Sequence, residues 1–173
     1  MPARIAWYVL LAAALWSATG RAAEPPVDPP AAAGDWEQGQ RLLRSGDYAG
    51  AARLFEQLAA QHPASPALPL FVFSRAKANY YGGEYAKAAA GFSQLLSRFP
   101  RAPEVPYAHF FLGNTACRRG DLDRALHDYL EAYRLSTDDR LDKLAQESVR
   151  ALLSGDGAVT VTAADFLNIP ETR

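Results

Sequence analysis

Histidine, cysteine and carboxylate side chains are the usual material of a hydrolytic or metal site, and this chain arranges few of them together. Its histidines are His62, His109 and His127, and its single cysteine is Cys117. None stands at metal-ligand spacing from a cysteine or carboxylate. His127 and Asp128 are adjacent, but sequence neighbours on a helix face different ways. The sequence contains neither a nucleophile elbow nor a phosphate-cradling glycine loop. Gly155-Asp156-Gly157 is too short for a calcium loop. The expectation is a chain that is not an enzyme and takes no catalytic residue, metal or cofactor. Cys117 reads as a buried thiol acting as a small hydrophobe, with an intermolecular disulfide as the alternative.

The elements around these residues follow from composition and spacing. A chain of 173 residues with 49% hydrophobic and 21% charged content suggests one globular domain. A formal charge of −1 offers no basic stripe for nucleic acid. Arg4, the uncharged run Ile5 to Trp16 and the small residues up to Ala22 read as a signal peptide over residues 1–22. The apolar run is short of the ~20 residues that span a bilayer, which argues against the alternative of an uncleaved membrane anchor. Cleavage removes Arg4 and Arg21 and no acid, taking the charge from −1 to −3. The chain is therefore expected to be exported, in the periplasm. No cysteine lies near residues 18–22, which predicts no lipid anchor. Residues 23–34 are rich in proline and alanine and read as an extended spacer.

A repeat dominates the remainder. Gly46, Gly83 and Gly120 are 37 residues apart, as are Ala51, Ala88 and Ala125, and Phe55, Phe92 and Tyr129. Pro63 and Pro100 keep the same interval. Such a period signals stacked helix pairs. The glycine ends one helix where φ > 0 is commonly needed, and Asp47, Glu84 and Asp121 place a carboxylate at the start of the next. The alanine allows close helix crossing, and the aromatic one turn later fills the space between units. First helices are predicted over 35–45, 70–81 and 107–119, and second helices over 48–61, 85–98 and 122–135. Residues 139–153 read as a capping helix. In the tail, 154–173, residues 158–162 alternate like a lone strand. The better local reading is a short helix starting at Thr162 and ending before Pro170.

The Ala-x₃-aromatic pattern with its following proline, after a Gly-Asp/Glu-Tyr turn, resembles the tetratricopeptide repeat (TPR) family. The resemblance covers residues 35–137 as three units, about 32–65, 69–102 and 106–138. It departs from the family in its longer inter-repeat loops, "HPASPALP" and "FPRAPEVP", in Arg75-Ala76 where the family has Leu-Gly, and in Thr137 where it has proline. The resemblance implies an all-α, right-handed superhelical solenoid of three helix-turn-helix units plus the capping helix. It also implies a concave binding surface lined by the first helices. Facing that groove would be Trp36, Gln40, Leu43 and Arg44 from the first unit. Phe73, Lys77, Tyr80 and Tyr81 would come from the second, and Phe110, Asn114 and Arg118 from the third. Trp36, Phe73 and Phe110 form an aromatic column of anchors, the alternative being that the column only packs helix on helix. Tyr80 and Tyr81 are expected to be exposed, since the two cannot share a side of the helix and only one can be core. Positions of the family's carboxylate clamp carry Trp36, Gln40, Ser74, Tyr107 and Phe111, so a chaperone C-terminus is not the expected ligand.

The repeats after a signal peptide look like bacterial envelope members of the family, among them the Tol-associated division coordinator and the outer-membrane assembly lipoproteins. The expected function is a non-enzymatic scaffold binding another envelope protein or peptide, with no nucleic acid partner. The alternative is an accessory module of an outer-membrane or cell-wall assembly or division complex, acting through its convex face or tail. A small-ligand carrier is the remote third reading.

Overall fold

The computed structural model describes residues 30–154. Among these the chain is entirely α-helical and contains no strand. The helices are α1 (Pro30–Ser45), α2 (Tyr48–Gln61), α3 (Leu68–Tyr81), α4 (Tyr85–Arg98), α5 (Val105–Arg118), α6 (Leu122–Leu135) and α7 (Asp139–Ser154). Each packs on the next in sequence, and α3 also meets α5. The result is a solenoid of three helix pairs closed by α7. The predicted signal peptide and the tail beyond Ser154 lie outside the described residues.

The second helices begin and end where the spacing predicts. The first helices begin earlier: at Leu68 and Val105 instead of residues 70 and 107, and at Pro30 instead of 35. Prolines explain the difference. Pro69 and Pro106 occupy the first turn, where a missing N–H breaks no helical bond. Pro30 opens α1 in the same way, and three alanines follow it. Residues 30–34 of the predicted spacer are therefore helix.

The turn inside each pair is built three times to one plan. Gly46, Gly83 and Gly120 have φ of 84°, 80° and 75°, a region costly for any residue with a Cβ. Around Gly46, Asp47 N–H donates to Leu42 C=O and Gly46 N–H to Leu43 C=O. Glu84 to Asn79 with Gly83 to Tyr80, and Asp121 to Ala116 with Gly120 to Cys117, repeat the pattern. This is the Schellman arrangement, which satisfies the last carbonyls of the first helix. The second helix is then capped by the Asp47 side chain, which accepts from Gly50 N–H, and by Asp121, which accepts from Arg124 N–H. Glu84 makes no such cap and pairs with Lys87 at 3.1 Å.

Ala51, Ala88, Ala125, Phe55, Phe92 and Tyr129 are all fully buried. The aromatics lie where the paired helix offers no bulk. A Cβ on Gly39 would sit 2.6 Å from the Phe55 ring, and one on Gly113 would sit 2.7 Å from Tyr129. The middle unit has Ala76 in that column, and the space comes from Gly91 opposite, where a Cβ would lie 2.8 Å from the Ala76 Cβ. Phe92 stacks on Phe111 of the next unit at 5.2 Å, so the core is continuous across the second and third units.

One charge is sealed into this core. Asp128 of α6 is fully buried, 3.0 Å from His109 Nδ1 of α5 and 2.7 Å from Arg124 Nε. Burial alone would push its carboxyl up; the hydrogen bonds with His109 and Arg124 outweigh it and hold the group below its ordinary value. The sequence neighbour His127 is exposed and takes no part in the pairing. The cap is tied by a second carboxylate: Asp138 accepts from the Tyr107 hydroxyl and from Arg140 N–H at the start of α7.

Three tests follow from this packing. Phe92→Ala should cost roughly 3–5 kcal/mol in urea unfolding, as for other buried aromatics; a loss below about 1 kcal/mol would remove Phe92 from the core. Gly91→Ala should destabilise by about 1–3 kcal/mol through overpacking, against the better helix propensity of alanine. Combining it with Ala76→Gly should restore much of that loss, and simple additivity in the cycle would contradict the contact. Asp128→Ala should cost about 1–3 kcal/mol at neutral pH, chiefly by leaving the mostly buried His109 Nδ1 without its partner, since Arg124 can turn to solvent. Because the folded carboxyl titrates below the unfolded one, its contribution is present above the ordinary carboxylate range and lost as pH falls below it. The gap between wild type and variant, followed by denaturation against pH, should close in acid and stay constant above pH ~5.

Candidate partner-binding surface

The residues expected to line a groove divide into two groups. Leu43, Phe73, Tyr80, Phe110 and Asn114 are buried. Arg44 and Arg118 are exposed, while Trp36, Gln40, Lys77 and Tyr81 are partly buried. The buried five are corrected from groove contacts to core. The reason is the same contact made once per unit: the Trp36, Phe73 and Phe110 rings pack against Phe55, Phe92 and Tyr129 of the following helix, at 5.2, 5.7 and 5.5 Å. The aromatic column joins first helix to second helix within a unit. Phe73 also reaches Tyr107 and Phe111 of the next first helix.

Tyr80 is the clearest departure from expectation. It is only 4% exposed, wedged edge-on against Tyr81, Tyr85 and Phe111. The helix places one of the tyrosine pair in the core, and Tyr81 then lies along Tyr48 of the first unit. Asn114 is likewise internal: its Oδ1 accepts from the Tyr129 hydroxyl at 2.7 Å. The same hydroxyl reaches Cys117 Sγ at 3.5 Å, and this cysteine is a free, partly buried thiol. Burial pushes the Tyr129 hydroxyl well up, so it stays a neutral donor.

What reaches the surface of the second and third first helices, α3 and α5, is cationic. Neither α3 nor α5 contains an Asp or Glu. The Lys77 ammonium lies 5.7 Å from the Phe73 ring. The Arg118 guanidinium sits 4.9 Å from the Tyr85 ring and 5.7 Å from Tyr80, and its Nε donates to the Tyr80 hydroxyl at 3.3 Å. Two rings thus fix the position of an exposed charge without neutralising it, which lowers the entropy lost when it meets an anion. The TPR resemblance implies Arg118 itself; Tyr85, which steadies it, opens a second helix and stands outside the columns that the resemblance points to.

The opposite side carries a groove of about 650 Å³ between α2 and α4, floored by α3. Arg75 crosses it, reaching Glu56 at 3.4 Å and Gln94 at 2.9 Å. A second depression of about 930 Å³ lies between the 100–107 and 135–140 segments, beside Tyr107 and Asp138. Among the described residues no cluster of three metal-ligating side chains occurs, and no helix is long and apolar enough to cross a membrane.

No curated protein matches the chain. A family model does match, over residues 31–151, and that family is described as YfiO, outer membrane lipoprotein. The matched span takes in parts of all seven helices. It overturns the expectation of no lipid anchor. That expectation rested on one missing residue type beside residues 18–22, a local absence that cannot outweigh a match through the whole helical array. By this match the chain belongs to the outer membrane lipoprotein family YfiO.

Proposed function

We propose that this chain is a non-enzymatic scaffold of the bacterial cell envelope, acting at the outer membrane, and that its helix pairs are TPR units. The 37-residue period, the thrice-repeated glycine turn and the Ala-x₃-aromatic second helices support the TPR assignment. The family's description as an outer membrane lipoprotein supports the location.

The partner surface in this reading is the face of the first helices, and the partner is an acidic protein segment. One observation carries it: α3 and α5 hold no carboxylate, while Lys77 and an aromatic-braced Arg118 reach the surface from them. Charge complementarity of this kind sets partner choice and association rate more than total affinity. The buried rings of Phe73, Tyr80 and Phe110 act indirectly, by fixing the backbone from which the cations project.

The test is affinity capture of the mature protein's partner from its own envelope extract. A Lys77→Glu/Arg118→Glu variant should keep its helical circular dichroism and lose the partner. An Arg53→Glu variant, altered in the groove on the other side, should retain it. Loss with Arg53→Glu alone would move the site to the α2/α4 groove and refute the first-helix surface.

A further inference from the structure

The groove between α2 and α4 is polar where the next unit is packed with hydrocarbon. On its floor, Arg75 and Asn79 stand one period before Leu112 and Ala116, both buried in the core of the third unit. The Arg75 side chain is 25% exposed, and its guanidinium donates to Glu56 Oε1 on one wall and Gln94 Oε1 on the other. The three side chains hold one another in place. The second Glu56 oxygen, the Gln94 amino group and both ends of the Asn79 amide keep bonding capacity that no described residue uses.

The remaining charges are Arg53 on α2 and the Glu84–Lys87 pair on α4. Donors and acceptors are therefore mixed, and three cations against two carboxylates give the groove little net charge. Tyr48 aside, its apolar side chains are the methyl groups of Ala49, Ala52, Ala78 and Ala90.

This lining selects among ligand classes. An apolar molecule would strip water from the polar groups without replacing their bonds. A simple anion would meet the two carboxylates as well as the cations. An extended peptide draws specificity from recesses for its alternate side chains, and walls of methyl groups provide none. A sugar ring carries hydroxyls that both donate and accept, which suits the planar groups of Arg75, Glu56, Asn79 and Gln94. An acetamido substituent adds an amide for Asn79 or Gln94 and a methyl group for the alanine walls. The volume of about 650 Å³ is that of a small-molecule site.

We propose that the α2/α4 groove binds an oligosaccharide of N-acetylated amino sugars, with Arg75, Asn79 and Gln94 as its hydrogen-bonding centre. The site is separate from the acidic-segment surface of the first helices and does not depend on it.

The test is an NMR titration of the isotope-labelled mature protein with chitotriose, a trimer of N-acetylglucosamine. Amide signals of Asn79, Gly82, Gly91 and Gln94 should shift and saturate, while those of α6 and α7 stay in place. Ala90→Trp, which fills the groove from an exposed position, should abolish the shifts and keep the helical circular dichroism. Asn79→Ala should raise the Kd about tenfold, the loss of one well-made hydrogen bond. Lys77→Glu/Arg118→Glu should bind chitotriose as the wild type does. Maltotriose, which has the hydroxyls without the acetamido group, should bind about tenfold more weakly; equal binding would overturn the amino-sugar assignment. The absence of saturable shifts, or shifts that survive Ala90→Trp, would overturn the site. So would saturation by trialanine in place of chitotriose, which would assign the groove to peptide.

Discussion

The close approach of two helices at a missing side chain is the constraint on which this structure rests. Phe55 and Tyr129 lie over Gly39 and Gly113 at a separation that leaves no room for a methyl group. Once that distance is fixed, the partner ring from the Trp36 column must meet the same aromatic, and the helix that carries it is held in rotation as well as in spacing. The middle unit meets the constraint with the roles exchanged, Ala76 facing Gly91. The repeat thus conserves a gap between backbones more strictly than it conserves the residue that provides it.

Function in such an array is separated from stability by the alternation of faces. Aromatic side chains that resemble binding anchors are used up in the joints between helices, where each buried ring contributes about 1.5–3 kcal/mol of apolar burial. In the proposed function, recognition falls to what projects beyond them. On α3 and α5 that is positive charge, and the buried tyrosines are what prevent Arg118 from wandering. A rigid backbone with a small number of oriented charges suits a scaffold better than a pocket.

Much of this was legible in the sequence, because the second helices obey local rules. Their limits coincide with the spacing at Tyr48, Tyr85 and Leu122, where a positive-φ glycine and an acidic residue leave one solution. The first helices run longer than the spacing predicts, because a proline that interrupts a helix interior is well placed in its first turn. The groove residues were the least legible. Periodicity gives the angle of a side chain around its helix and not the identity of what it meets, so Phe73, Tyr80 and Phe110 could have faced either a partner or the next helix. The bond from His109 to Asp128 joins residues 19 apart on different helices, and no motif announces it. The lipid anchor was misjudged for a different reason, an argument from one absent residue where the family match speaks for the whole array.

The guanidinium of Arg75 gives the array a mechanical character. It spans the cleft between α2 and α4 by polar contacts on both sides. One period later the position is Leu112, only 6% exposed and part of the continuous core. The first junction between units thus adds a polar strut to its packed side chains, Phe71 and Ala78 on Phe55 and Leu58, while the second has hydrocarbon alone at that position. Bonds of the first kind stretch and re-form at little cost, while packed side chains resist any change of spacing.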